Sequence, residues 1–185
     1  MTSELASKQL SMSIGMEQIQ ALQAVVLPAG YQLRTYRVGD AVGWIKLLVA
    51  AGFEGWNEDK FTTYMQERER TKGSYVISYN GEPVAATFAS HRRVEPMEGA
   101  LDYVVCHPDH RNRKLGHAVC AAVLVYLGGQ QYQVVSLATD DWRLAAIKLY
   151  LNLGFRPLIN RVDMPLRWET VYLQLFGAKT EDGFS

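Results

Sequence analysis

The sequence predicts a mixed α/β fold, and three observations carry the prediction. Two runs rich in β-branched and aromatic residues, 74–79 and 83–90, are joined by Asn80-Gly81, a pair suited to the positive φ angles of a two-residue hairpin turn. Downstream, a strand over 100–106, an apolar helix beginning near Leu115, a strand over 133–139 and a helix over about 141–153 make a β-α-β-α unit whose parallel crossover is expected to be right-handed. With 185 residues, 48% of them hydrophobic, the chain can build one sizeable core, so a single domain is expected.

Residues 1–30 are polar and rich in Ser, Gln and Met, with a helical patch around 16–26 that stops at Pro28-Ala29-Gly30. They are read as an extension ahead of a domain over 31–177, with a tail over 178–185. A strand over 31–38 leads to Gly39-Asp40, where Asp40 is placed to cap a helix carrying Ala41, Trp44, Ile45 and Leu48 at helical spacing. Asn57 caps a second helix with Phe61, Tyr64 and Met65 on one face, and the charge-dense stretch 67–72 closes at Gly73, which predicts a half-exposed helix. After the hairpin, a polar bend over 92–99 leads to the strand over 100–106. Its run Tyr103-Val104-Val105-Cys106 predicts a central position covered on both faces. From Leu115, the residues Ala118, Val119, Ala122, Val123, Tyr126 and Leu127 recur at helical spacing, and Cys120, Leu124 and Val125 make the remaining face apolar, so this helix is deeply buried until Gly128-Gly129 stops it. Beyond Pro157, residues 158–161 are read as a sixth strand and Asp163-Met164-Pro165 as the start of a terminal helix with Trp168, Val171, Tyr172 and Leu175 on one face.

Composition narrows the function classes. The 19 Lys and Arg balance 19 Asp and Glu, so there is no field for broad nucleic-acid or membrane adhesion, although a local basic patch is compatible with it. Cys106 and Cys120 lack a disulfide or metal spacing and sit in apolar runs, which points to reduced thiols. His91, His107, His110 and His117 have no metal-ligand spacing either, so no metal site is expected. No apolar stretch approaches the roughly 20 residues that span a bilayer, and the start Met-Thr-Ser-Glu-Leu is unlike a secretory leader. A cytoplasmic protein is expected.

The stretch Cys106-His107-Pro108-Asp109-His110-Arg111-Asn112-Arg113-Lys114-Leu115-Gly116-His117-Ala118 runs from a strand end through a basic turn into the apolar helix. A helix start leaves backbone N–H groups without intrahelical partners, and Arg111, Arg113 and Lys114 add positive charge to the same spot. A diphosphate suits such a site. A second segment, Asp141-Trp142-Arg143-Leu144-Ala145-Ala146-Ile147-Lys148-Leu149-Tyr150-Leu151-Asn152-Leu153-Gly154-Phe155, ends in a Gly-Phe pair. If Gly154 closes a Schellman ending, the Phe155 ring should contact Tyr150 or Leu149.

Over about 31–157 the chain resembles the GNAT superfamily of N-acetyltransferases. The acetyl-CoA signature of that family is Gln or Arg, two residues, Gly, one residue, then Gly or Ala, which Arg113-Lys114-Leu115-Gly116-His117-Ala118 satisfies. In the register with two glycines, 111–116, the first glycine is replaced by Lys114, which with an ordinary φ angle still donates its N–H and adds an ammonium. The second signature is Ala-Ile-x-Leu-Tyr-x-x-x-Gly-Phe at Ala146 to Phe155. The resemblance implies a GNAT-like acyl-CoA acyltransferase fold, a mixed sheet of six or seven strands flanked by helices and splayed between the fourth and fifth strands. It also implies acetyl-CoA as co-substrate, held by Arg111, Asn112, Arg113, Lys114, Leu115, Gly116, His117 and Ala118 and by backbone groups of Val104, Val105 and Cys106 that pair with the pantetheine amides. Arg143 stands where many relatives carry Asn, and either reaches a phosphate or is solvated.

By the same resemblance Tyr150 protonates the departing CoA thiolate, which a phenol with a pKa near 10 can do at neutral pH. An amine nucleophile with a pKa of about 10.4 costs about 4.6 kcal/mol to neutralise at pH 7, so a carboxylate or a water chain is expected to take its proton. Asp102, an acid entering an apolar strand, is the leading candidate for base, with Glu98 and His107 as alternatives; the other reading of Asp102 is a solvated or ion-paired residue. The acceptor expected is a primary amine of a small molecule or peptide, attacked directly, with Phe53, Trp56, Tyr64 and Trp168 as wall residues and the terminal helix closing that side or covering a sheet edge. No nucleic-acid or membrane partner is implied, and a homodimer is compatible. The competing functional class is a non-catalytic acetyl-CoA-binding sensor or regulatory module.

Overall fold

The structure, a computed structural model, describes residues 9–92, 98–130 and 132–177. The first eight residues, most of the expected polar bend (93–97) and the tail over 178–185 lie outside the described residues. In chain order the elements are β1 (Leu10–Gly15), α1 (Met16–Gln20), β2 (Tyr31–Thr35), α2 (Ala41–Ala50), α3 (Glu58–Met65), α4 (Arg70–Gly73), β3 (Tyr75–Tyr79), β4 (Glu82–Arg92), β5 (Glu98–Cys106), a 3-10 turn (Pro108–His110), α5 (Leu115–Gly128), β6 (Val134–Thr139), α6 (Leu144–Leu153), β7 (Arg156–Pro157) and α7 (Met164–Phe176). Two compact units make up the chain, one of Gly15–Val135 and the other of the described residues before and after it.

In the first unit β2, β3, β4 and β5 stand side by side in that order, each pair antiparallel. The hairpin turn is the one expected: Asn80 has φ 50° and Gly81 φ 88°, both in the left-handed region. β4 is buried without alternation from Val84 to Ser90, since α2 and α5 both pack against it. Trp44, Leu47, Leu48, Trp56, Phe61, Met65, Val76, Ala86, Phe88 and Val105 form a core in which Trp44 stacks on Phe88 at 4.3 Å. α5 is buried along most of its circumference, as expected, except at Val125, which is exposed. Asn57 caps α3 by accepting from the Lys60 N–H at 2.8 Å.

Asp40 does not cap α2. Its carboxylate instead takes both guanidinium arms of Arg34, at 2.6 and 2.7 Å, and the Arg37 N–H at 2.7 Å, so a stronger partner on β2 has outcompeted the helix start. Burial opposes its ionisation, but these bonds win and hold its carboxyl below the usual carboxylate range.

The second unit contains β7 and most of β1 and β6, with β1 between the other two. Residues 10–15 were expected to be an extension and are a strand, with Leu10, Met12 and Ile14 buried and Met12 paired antiparallel with Pro157. The alternation Leu-Ser-Met-Ser-Ile is the period-two signal, legible once a strand is sought in so polar a segment. The expected strand over 158–161 does not form; the strand here is β7, just before it, followed by one bond from the Leu158 N–H to the Ser11 carbonyl at 2.9 Å. α7 forms where the Asp-Met-Pro start placed it and buries Met164, Trp168 and Val171. Arg161 and Arg167 both bind Asp163 ahead of it and hold that carboxyl well below its ordinary range.

Candidate active site

β5 ends at Cys106, and the His107 N–H bonds to the Val84 carbonyl at 2.8 Å, which fixes where the chain leaves the sheet. His107 Nδ1 then accepts the Asp109 N–H at 3.3 Å to start the 3-10 turn. Arg111 is extended, Asn112 has φ 61° and Lys114 has φ 58°, and α5 begins at Leu115 without a side-chain cap. The first intrahelical bond runs from the Ala118 N–H to the Lys114 carbonyl, so the N–H groups of Leu115, Gly116 and His117 precede any acceptor within the helix. Lys114 therefore has the left-handed conformation a glycine would take, not the ordinary φ expected of it; the reversal from extended Arg111 into α5 demands that geometry, which turns successive N–H groups toward one point. Arg113 Nη1 holds the turn by donating to the Asp109 carbonyl at 2.8 Å and the Arg111 carbonyl at 3.2 Å. His117 Nδ1 is buried without a hydrogen-bond partner among the described residues, and burial followed by the Lys114 ammonium pushes its pKa down. An uncapped helix start, an orphaned ring nitrogen and three exposed cations fit the diphosphate of a coenzyme A.

On β5 the pairing Ala86↔Val105 shifts to Phe88↔Asp102, so Tyr103 and Val104 together face Thr87, a β-bulge with Tyr103 at φ 51°. Thr87 Oγ1 pins it through the Asp102 carbonyl at 3.0 Å. The strand is not covered on both faces here: Tyr103, Val104 and Cys106 are half-buried and only Val105 is fully so, because the bulge re-aims the backbone. Burial pushes the Cys106 thiol up, against a smaller pull from Arg111 and Arg113.

Asp102 is ion-paired. Its Oδ1 accepts from Arg92 at 2.9 Å, its Oδ2 accepts the Tyr64 hydroxyl at 3.2 Å, and Arg70 Nη2 lies 3.7 Å away. The Arg70 guanidinium stacks on the Tyr64 ring with its carbon 3.1 Å from the centroid. Burial, opposed by Asp102 and helped by Arg92, pulls the Arg70 pKa down to about 10. Of the expected wall residues, Phe53, Trp56 and Tyr64 come together with Tyr103 and Phe88, with ring centroids 4.9 Å apart for Phe53 and Tyr103 and 5.0 Å for Trp56 and Tyr64. Trp168 belongs to the other unit, where it is fully buried. Sequence reasoning missed Arg70, which lies in a charge run that reads as a solvated face. Its neighbour Glu69 is also held in place, at φ 72°, with its carboxylate accepting from Tyr126 at 2.8 Å and Tyr132 at 3.0 Å.

In the second unit the Schellman ending forms as expected. Gly154 has φ 100°, the Phe155 N–H bonds to the Tyr150 carbonyl and the Gly154 N–H to the Leu151 carbonyl, both at 3.0 Å, and the Tyr150 and Phe155 rings meet edge-on. Tyr150 is buried. Arg143 Nε bonds to Asp140 at 3.0 Å, and its guanidinium lies over the exposed Trp142 ring.

The model of the acetyltransferase (GNAT) family matches residues 41–155. The chain belongs to the GNAT family. Among relatives, this GNAT chain is 29% identical over 145 residues to the mycothiol acetyltransferase of Thermobispora bispora, a match covering 72% of this chain and 49% of that protein. It therefore spans about half the length of that curated relative. Among solved structures, a GCN5-related N-acetyltransferase from Sphaerobacter thermophilus superimposes with a TM-score of 0.67 at 19% identity, over 82% of this chain and 49% of that one. The ribosomal-protein-S18-alanine N-acetyltransferase of Escherichia coli superimposes with a TM-score of 0.57 at 21% identity, over 68% of this chain and 77% of that one. At these identities the likeness concerns the fold.

Proposed function

We propose that this GNAT chain is an acetyl-CoA-dependent N-acetyltransferase that acts on the primary amine of a small molecule or peptide by direct attack. The observation that carries the reading is the uncapped start of α5, where the N–H groups of Leu115, Gly116 and His117 follow a turn bearing Arg111, Arg113 and Lys114. Bound acetyl-CoA supplies the activated acetyl group. The turn grips the diphosphate, and the backbone of Val104, Val105 and Cys106, at the bulge and just beyond it, offers hydrogen bonds to the pantetheine arm. Tyr150, oriented by the Schellman ending behind it, holds the phenolic proton for the departing sulfur.

For Asp102 the three donors around its carboxylate support the ion-pair role over the base role, because each lone pair committed to Arg92 or Tyr64 is withdrawn from proton transfer. The amine proton then leaves through water. Asp102→Asn should lower the melting temperature while kcat keeps its pH dependence; disappearance of the acidic limb of the pH–rate profile would restore the base role. The reading as a whole is tested by release of free CoA thiol across a broad amine panel, with calorimetry of acetyl-CoA binding alongside. Turnover with at least one amine is expected, and an absence of acetyl-CoA binding would overturn it.

A further inference from the structure

The turn proposed to hold the diphosphate has two left-handed residues within three positions, Asn112 and Lys114, neither of them a glycine, and it leads into α5 without a side-chain cap. Such backbone persists only where its surroundings over-determine it. On one flank Arg113 does this from inside the turn, through the Asp109 and Arg111 carbonyls. The other flank is held from outside. At the start of β2, 79 positions away in sequence, the Tyr31 hydroxyl hydrogen-bonds with His110 Nδ1 at 2.8 Å. His110 closes the 3-10 turn and directly precedes Arg111, so a pin on its ring fixes where the reversal begins. Tyr31 is itself fixed. It stands opposite Tyr79 across the β2–β3 pair, with ring centroids 4.7 Å apart, and the His110 ring meets both, edge-on to Tyr31 at 5.7 Å and tilted against Tyr79 at 5.3 Å. Gly30, at φ 86°, brings the chain into β2 so close to this group that a Cβ there would lie 2.9 Å from Tyr79 Cε2. Ring packing alone would serve the sheet edge; the hydroxyl–imidazole bond adds direction, between two half-buried side chains where water competes less for it.

We infer that Tyr31 is a positioning residue for coenzyme A: its hydroxyl, acting through His110, keeps the turn over 111–117 in its anion-binding conformation before the cofactor arrives. The ligand in this inference rests on the acetyl-CoA reading. A turn held in that conformation only part of the time binds with an affinity reduced by that fraction. The test compares the full chain with Tyr31→Phe, which keeps the ring and removes the hydroxyl, with His110→Phe, and with the double variant. In calorimetry with free CoA, Tyr31→Phe should bind about three- to tenfold more weakly, and the double variant no more weakly than the weaker single variant, because both changes remove the same bond. Without CoA, hydrogen exchange followed by NMR should speed up in Tyr31→Phe at the Arg111 and Ala118 amides, which bond to the Pro108 and Lys114 carbonyls, and stay unchanged across the β3–β4 pair. Unchanged CoA affinity in Tyr31→Phe, losses that multiply in the double variant, or exchange that rises equally across β3–β4 would each overturn the inference, the last by assigning Tyr31 a general structural role. Tyr31→Phe alone decides the matter if His110→Phe fails to fold. Failure of the acetyl-CoA reading is seen separately, as no CoA binding by the unaltered chain; faster exchange at Arg111 and Ala118 in Tyr31→Phe would then still uphold the positioning of the turn, and unchanged exchange would overturn it.

Discussion

Lys114 adopts a backbone conformation that suits glycine, in the middle of the turn proposed to hold the diphosphate. Its positive φ carries a steric cost, and its ammonium is the compensation. Lys114→Gly should therefore raise stability by about 0.5–1 kcal/mol and weaken acetyl-CoA about two- to fivefold through the lost charge, read by thermal melting and calorimetry respectively. A loss of stability would show that the lysine stem, not its backbone, matters at this position. Tyr150→Phe keeps the ring contact with Phe155 and should cut kcat by about 10²-fold or more with acetyl-CoA affinity preserved; unchanged turnover would remove its hydroxyl from the chemistry. The helix start at Lys114 and the helix stop after Tyr150 were legible in the sequence because each has its own local physics, whereas the left-handed φ of Lys114 was not expected. Arg70 was not legible, since burial of a cation depends on Tyr64, Ser90 and Asp102 converging from three separate segments. Composition alone carries no trace of that convergence.

At the scale of elements, local signals decided what formed and tertiary competition decided the details. Asn57 capped α3 by taking the Lys60 N–H, whereas Asp40 gave up the start of α2 for Arg34. The alternation in β1 was masked by its polar context, and the β5 bulge left no mark in Tyr103-Val104-Val105-Cys106, a run that reads as an unbroken strand. α4 shows how tightly one short element can be fitted. A Cβ added at Gly73 would lie 2.1 Å from Tyr126 Cε1 and 2.8 Å from the Ala89 Cβ, so the constraint there is space rather than dihedral freedom. Gly73→Ala is expected to cost about 3 kcal/mol, measured by denaturant midpoint, and to disturb the bond from Tyr126 to Glu69 next to Arg70. An unchanged midpoint would mean that α4 can slide off β4 at little cost.

For the whole molecule, Asp40 sets an acid limit. Its folded pKa lies below the unfolded value of about 3.9, so its ion pair contributes fully above that value and is lost as pH falls through the folded pKa. Asp40→Asn should cost about 2 kcal/mol near neutrality, and the gap between variant and parent in thermal melting should close on acidification below about pH 4. A gap independent of pH would assign the effect to packing. The pairing of β1 with β7 has a consequence for synthesis. The segment Gly15–Val135 is made before most of β6 and all of β7, the two strands that flank β1, so Leu10, Met12 and Ile14 emerge early and wait for their neighbours. During that interval an oily, unpaired strand is what a chaperone would meet at the tunnel exit.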